Sequence, residues 1–385
     1  MSVSRRRLLS AAVSAGVAHA ALPAWISARG REAAAMQGAA VSRSAGDVAD
    51  EAGVLLLDSN ENPTGPCPAA AGALAGLLGK ASLYPYRDQR SLVDALASRH
   101  ATRADHVMVG CGSTEILVNA VRAFTTRTAG LLTPTPTFES PARVAQTLGH
   151  PVIERPVSAS LDVDLDDLSR HVKGAGLVFL CNPNNPTGTG LPLEAITAFV
   201  RDTRKRSPDT VVLLDEAYME YADGHGVSSA EALALSMPNV LVSRTFSKAF
   251  GMAGLRVGYA LAQPAVLDAM QPHAMPMGVN MLGLHAARAA VAADGFEARE
   301  RARNADVRRF VAAKFTEAGC TVPTSHTNFL MVDLRRDTSA FRSGCTQARI
   351  MVGRRFAPLD THVRISLGTM DEMQRAWTVF GTLLG

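Results

Sequence analysis

Lys248 lies in the stretch Ser243-Arg244-Thr245-Phe246-Ser247-Lys248-Ala249-Phe250-Gly251, among hydroxyls and eight residues before Arg256. The chain has only five lysines (80, 173, 205, 248 and 314) against 34 arginines. A lysine in this setting points to chemistry a guanidinium cannot do, because an amine can lose its proton and attack a carbonyl. Three other polar clusters follow apolar runs. Asp215-Glu216-Ala217-Tyr218 ends the run Val211–Leu214, where an acid is costly unless it is paired. Cys181-Asn182-Pro183-Asn184-Asn185-Pro186-Thr187-Gly188 follows Leu177–Leu180, its prolines and asparagines fixing the backbone while projecting amides. Gly110-Cys111-Gly112-Ser113-Thr114-Glu115 joins a strand to a helix and leaves N–H groups for an anion such as phosphate. Each piece alone is commonplace: a tight turn, a helix cap, a surface ion pair. Together they suit one ligand, an aldehyde-bearing phosphorylated pyridine, with Lys for the imine, Asp for the ring nitrogen, Asn and Tyr for the ring oxygen, and Gly, Ser and Arg for the phosphate.

The elements that must position these groups alternate. Apolar runs at Val107–Val109, Leu131–Leu132, Leu177–Leu180, Val211–Leu214, Val240–Val242 and Val257–Ala260 predict buried parallel strands. Helical periodicity at 91–100, 114–124, 138–148 and 192–204 falls between several of them, and Asp164 is placed to cap a helix using Leu165, Leu168 and Val172 as its inner face. The expected fold is an open α/β, mostly parallel sheet with helices on both faces, whose ligands sit beyond the carboxyl ends of the strands. After about residue 280 a long helical region (280–318), strands at 328–333, 350–352 and 362–367 and a last helix from 371 predict a smaller α+β domain. The expected divisions are residues 1–50 as export signal and linker, 51–80 as an N-terminal segment packing with the small domain, 81–280 as the large cofactor-binding domain, and 281–385 as the small domain.

These motifs in this order resemble the class I/II aminotransferases among fold-type I pyridoxal-phosphate enzymes, nearest the histidinol-phosphate aminotransferase branch. The resemblance runs from about Ser59 to the C-terminus and adds Asn60-Glu61-Asn62-Pro63, Tyr84-Pro85, Pro136-Thr137-Phe138, Gly254-Leu255-Arg256, Asn328-Phe329, Val363-Arg364-Ile365 and Gly368-Thr369. It implies a seven-stranded-type sheet and pyridoxal 5'-phosphate as cofactor. It also implies ping-pong transfer of an amino group between an L-amino acid, or an amino-alcohol phosphate such as histidinol phosphate, and a 2-oxo acid. Lys248 would bond to the cofactor and shuttle the proton, Asp215 would pair with the ring nitrogen, Asn185 and Tyr218 would hold the ring oxygen, and Phe138 would stack on the ring. Gly112, Ser113, Thr114, Ser247 and Arg256 would hold the phosphate, joined by Tyr84 from the neighbouring subunit of a homodimer. Arg364 would bind the substrate carboxylate, with a contribution from Asn60. Enzymes of that branch usually carry an arginine for substrate phosphate after a short apolar strand. Here Gly353 takes that position, in Ile350-Met351-Val352-Gly353-Arg354-Arg355-Phe356, and Arg354 or Arg355 is the candidate substitute. A pyridoxal-phosphate decarboxylase or lyase shares nearly all these motifs, and a non-catalytic binder of the cofactor is a more distant alternative.

Composition narrows the classes further. The 385 residues are 47% hydrophobic with a net charge of +4, which excludes a disordered or low-complexity chain. No basic stripe carries aromatics, so no nucleic-acid partner is expected. The five cysteines (67, 111, 181, 320 and 345) show no CxxC spacing, and neither a disulfide framework nor a metal site is expected. No apolar run is long enough to span a bilayer. At the start, Ser4-Arg5-Arg6-Arg7-Leu8-Leu9, the mild apolar stretch Ala11–Ala18 and Ala18-His19-Ala20 have the three-part layout of a cleaved export signal with a twin-arginine pair. The expected partner is the twin-arginine export machinery and the expected location the periplasm, a cytoplasmic enzyme with an Arg/Ala-rich tail being the alternative. Residues 21 to about 50 read as a linker.

Overall fold

The computed structural model describes residues 53–385. The expected export signal and linker lie outside them. Among the described residues eleven strands form three sheets: β1 (Leu55–Leu57), β2 (Val107–Cys111), β3 (Gly130–Thr135), β4 (Val152–Pro156), β5 (Ala175–Cys181), β6 (Val211–Asp215), β7 (Val240–Thr245), β8 (Val257–Ala262), β9 (Phe329–Asp333), β10 (Ile350–Val352) and β11 (His362–Ser366). The central sheet has seven strands in the order β2-β8-β7-β6-β5-β3-β4.

Side-chain alternation divides this sheet into two apolar layers. Val178, Leu180, Val212, Leu214, Val240 and Val242 face one core, shared with the helices Tyr86–Arg99, Leu193–Arg206 and Met281–Val291. Leu177, Phe179, Val211, Leu213 and Leu241 face the other, shared with the helices Gly112–Phe124, Ser140–Thr147 and Pro264–Met270. Strands buried on both faces cannot alternate apolar with polar, which is why β5 and β6 read as continuous apolar runs.

All six predicted runs are strands, but β8 is not parallel. It pairs antiparallel with both β7 and β2. Parallel neighbours need a crossover, usually a helix of a dozen or more residues, whereas β7 and β8 are joined by a short loop that turns the chain straight back. That loop carries Lys248, so the reversal places the lysine at the sheet's carboxyl edge. The strand β4 was not expected. It lies at the sheet edge and carries Glu154 and Arg155, which break the apolar pattern.

Asp164 caps the helix Leu165–Arg170, its carboxylate accepting from the Asp167 amide at 2.8 Å. The long helical region is two helices, Met281–Val291 and Phe296–Glu317, separated by a turn in which Gly295 has φ +70°. The C-terminal part builds a third core from Phe315, Leu330, Val332, Phe341, Ile365 and Phe380. The N-terminal segment divides between cores. Leu57 of β1 joins this third core through the parallel pairing of β1 with β10, while Cys67 and Ala70 pack into the first layer of the central sheet.

Candidate active site

The polar groups after β5, β6 and β7 meet at the carboxyl edge of the central sheet, as strand register requires. Asp215 ends β6 between Cys181 of β5 and Ser243 of β7. It is only 3% exposed, and its Oδ1 has no hydrogen-bond partner. Burial pushes its carboxyl up to about 7 against the pull of the Ser243 hydroxyl; Glu216 adds to the rise and Lys248 opposes it. Lys248 donates to the Ser59 carbonyl at 3.3 Å and lies 5.7 Å from the centroid of the Tyr218 ring. Burial pushes its amine down to about 8, helped by the positive charges of Arg364 and Arg256 and resisted by Glu61.

Tyr218, buried and packed edge-on against Phe329, accepts a hydrogen bond from the Asn60 amide at 3.1 Å. Asn185 accepts from Arg364 at 2.7 Å, which leaves its NH2 group to donate elsewhere. Arg364 also donates to the Asp58 carbonyl at 2.6 Å, and its guanidinium stands over Phe329 and Phe356 at 5.4 and 4.9 Å. Its Nε is buried without a partner. An arginine in this setting needs an anion.

The chain also brings Gly112, Ser113, Ser247 and Arg256, expected to hold the phosphate, close together. The helix Gly112–Phe124 starts directly from β2, and Cys111 at its N-cap provides no side-chain cap, so its first-turn amides, including those of Ser113 and Thr114, have no intrahelical partner. Gly112 has φ +69°, and a Cβ there would come within 2.3 Å of the Arg256 guanidinium. A Cβ on Gly258 of β8 would come within 2.2 Å of the Ser113 amide nitrogen, so that glycine lets the helix start lie against the strand. Arg256, itself at φ 55°, donates to Ser247 at 3.3 Å and to the Ala253 carbonyl at 3.0 Å. Phe138 is half-buried against the second core layer.

Two residues that sequence reasoning left without a role tie these parts together. Thr137 donates to Asn184 at 2.7 Å, and Asn184 donates to the Pro136 carbonyl and the Thr187 hydroxyl at 3.1 and 3.0 Å. The loop bearing Asn185 is thereby fastened to the segment bearing Phe138. Their only signal in the sequence is adjacency to those two residues.

Tyr84 is not brought to this site within the chain; it is 76% exposed beside Tyr86. Arg354 sits at the rim, 4.3 Å over Phe356 and in an ion pair with Glu139. Arg355 pairs with Asp360 at 2.7 Å. Gly353 donates its amide to the Arg364 carbonyl at 2.8 Å, and a Cβ there would come within 2.6 Å of that oxygen, so no side chain fits where the branch usually has arginine. The orphaned Asp215 oxygen, the Lys248 amine, the glycine-lined helix start and Arg256 fit a phosphorylated, carbonyl-bearing pyridine. Among the described residues no group of three or more His, Cys, Asp or Glu could hold a metal ion.

The chain matches the family aminotransferase class I and II over residues 52–380. A histidinol-phosphate aminotransferase from Anaeromyxobacter sp. (strain Fw109-5) is 35% identical over 342 residues, covering 86% of this chain and 91% of that protein. An aromatic amino acid aminotransferase from Thermobifida fusca is 35% identical over 327 residues, covering 85% of this chain and 89% of that one. The crystal structure of histidinol-phosphate aminotransferase from Sinorhizobium meliloti in complex with pyridoxal-5'-phosphate superposes with a TM-score of 0.80 at 27% identity, covering 89% of this chain and 98% of that chain.

The Lys248 amine sets a pH dependence. Only its neutral form attacks a carbonyl, and below about pH 8 that form falls roughly tenfold per pH unit. The rate at which added pyridoxal phosphate bonds to cofactor-free protein, followed by visible absorbance, should rise with unit logarithmic slope to about pH 8 and then level off. A rise continuing to the ordinary lysine range above pH 10 would remove burial and the two arginines as tuning influences.

Proposed function

Because the chain belongs to the class I and II aminotransferases, we propose that its pyridoxal-phosphate-dependent transamination acts on L-amino acids with aromatic side chains, held by Arg364 through the carboxylate. Pyridoxal phosphate, when bound, supplies a carbonyl for an amine and a ring that takes up electron density from the α-carbon. The residues supply the rest. Asp215 keeps a proton on the ring nitrogen, its buried carboxylate gaining the cationic partner it otherwise lacks. Neutral Lys248 takes the proton from the substrate α-carbon and returns it. Asn185 and Tyr218 donate to the ring oxygen, while the helix start at Gly112 with Ser113, Thr114, Ser247 and Arg256 holds the phosphate. Donor and acceptor share a carboxylate, so Arg364 serves both half-reactions of a ping-pong cycle.

The observation that carries the aromatic preference is the surroundings of Arg364. Phe329 and Phe356 flank its guanidinium, Arg354 is neutralised by Glu139, and Gly353 supplies no side chain to share an anion with Arg364. One carboxylate bordered by rings is accommodated; a phosphate beside the imidazole of histidinol phosphate meets no second free cation among these residues. In steady-state assays, kcat/KM for phenylalanine, tyrosine or tryptophan should exceed that for histidinol phosphate by about tenfold or more. Equal or better use of histidinol phosphate would overturn this preference.

The enzyme works as a homodimer whose Tyr84 completes the partner's phosphate site. Leu78, Leu83, Tyr84 and Tyr86 are all exposed within a short stretch of chain, an apolar surface that a second copy covers. Light scattering should give a dimer mass, and Tyr84→Phe should weaken cofactor binding about tenfold, the cost of one hydrogen bond to a charged group. A monomer, or unchanged binding, would remove this role.

The N-terminal arginine pair directs export to the periplasm by the twin-arginine route, which carries folded proteins. The support is the order of arginines, apolar stretch and small-residue site in residues 4–20. Fractionated cells should yield shortened protein in the periplasm, and Arg5→Lys with Arg6→Lys should retain the full chain in the cytoplasm. Cytoplasmic retention of the parent would rule out this location.

A further inference from the structure

We infer that Ser366 is a positioning residue for the bound cofactor: through Asn60 it fixes the direction in which Tyr218 points its proton. The inference rests on the reading that Tyr218 donates to the ring oxygen, and it adds what makes Tyr218 a donor.

A tyrosine hydroxyl can give or receive, and its neighbours decide which. The Ser366 oxygen accepts the Asn60 backbone N–H at 2.8 Å and gives its single proton to Asn60 Oδ1 at 2.9 Å. The carbonyl end of the Asn60 amide is therefore held at Ser366, and the NH2 end faces Tyr218 and donates to it at 3.1 Å. Tyr218, receiving from Asn60, keeps its own proton to give elsewhere. Turning the amide over would make Tyr218 spend that proton on Asn60. It would also take from the Ser366 proton the acceptor it has at Asn60, in a residue that is 3% exposed. The chain Ser366–Asn60–Tyr218 thus runs in one direction.

The geometry around Asn60 resists rearrangement. Its residue is 1% exposed and holds φ 55°, a left-handed conformation that asparagine tolerates better than most side chains. Asn328 donates to the carbonyls of Asn60 and Glu61 at 3.0 and 3.2 Å, and Asn62 donates to the Ala249 carbonyl at 2.8 Å, next to Lys248. Arg364 does for Asn185 what Ser366 does for Tyr218: by donating to the amide oxygen it leaves the NH2 group to donate. Arg364 and Ser366 are two residues apart on β11 and so share one face of that strand. One face of a C-terminal strand sets the polarity of both donors to the ring oxygen.

The test reads the cofactor spectrum rather than turnover. Hydrogen bonds donated to the ring oxygen favour its anion, so losing one raises the pH midpoint at which the visible band of the loaded enzyme titrates. Ser366→Ala should raise the midpoint by about half a unit to one unit, and Ser366→Thr, which keeps the hydroxyl, should return it to the parent's value. Asn60→Ala should raise it comparably, and the double variant should rise no further than Asn60→Ala alone, because both act along one chain of bonds. Tyr218→Phe is the reference. If it raises the midpoint while Ser366→Ala and Asn60→Ala leave it in place, the relay is overturned and the role of Tyr218 stands. If Tyr218→Phe itself leaves the midpoint unmoved, the reading of Tyr218 falls and the relay with it. A Ser366→Ala variant with weaker cofactor binding but an unshifted midpoint would reduce Ser366 to a fastening of the N-terminal segment and overturn the proposal.

Discussion

A carboxylate at the end of the middle strand of a sheet, nearly cut off from water and with one oxygen unpartnered, is the constraint around which the rest of this molecule is arranged. Burying a charge costs several kcal/mol unless a cation or several donors meet it. Asp215 has neither in sufficient measure from the protein. Its carboxyl is pushed up to about 7 by that deficit. The protonated nitrogen of a pyridine ring is the kind of partner that offsets it. The same burial pushes the Lys248 amine in the opposite direction, down to about 8. One apolar environment therefore adjusts an acid and a base towards each other across the space where the ring is proposed to lie.

Holding such a strained centre needs rigid surroundings, and these lie beneath it rather than around it. Arg244 of β7 ion-pairs with Glu216 and Glu220 at 2.9 Å each, and these two carboxylates bracket Tyr218 in the chain. Glu216 also accepts from Ser229 and from the Ala230 amide at 2.7 Å. Arg244 also lies 3.8 Å from Glu231, and His100, bonded to Glu231 at 2.9 Å and to Tyr259 at 3.0 Å, extends the network to the end of the helix Tyr86–Arg99 and to β8. The turn after β6 is thereby fixed by Arg244 of β7 and by Ser229 and Ala230. A buried ionic network of this kind contributes more to a single geometry than to net stability, since desolvation consumes most of its Coulombic gain.

Much of this was legible in the sequence because the chemistry requires particular side chains at strand ends. Asp215, Tyr218, Asn185, Lys248 and Arg256 were found by type and by their place after apolar runs, and register brings them to one edge of one sheet. What escaped had physical reasons. β4 is an edge strand with charged residues, so it carries no apolar run. The antiparallel sense of β8 leaves no trace in composition, because its residues are buried on both faces as in a parallel strand. Arg244 and its carboxylates look in sequence like ordinary surface charges; only burial reveals that they face one another. Ser366 and Asn60 are 306 residues apart, and no local pattern announces their bond.

That long-range bond shows why the C-terminal part belongs to the site and is more than a cover. β1 pairs with β10, Arg364 and Ser366 of β11 reach Asp58 and Asn60, and Asn328, just before β9, holds the carbonyls of Asn60 and Glu61. The segment 58–62 is therefore suspended between the C-terminal strands and the loop bearing Lys248, which donates to Ser59. Beside the protons it gives to the Asp58 carbonyl and the Asn185 oxygen, Arg364 keeps others for an anion, its unpartnered Nε among them. The first contact joins Arg364 to the N-terminal segment and the second joins it to Asn185, the proposed donor to the ring oxygen. Arg364, the proposed ligand for the carboxylate, is thus joined by direct hydrogen bonds to both the N-terminal segment and the loop bearing Asn185.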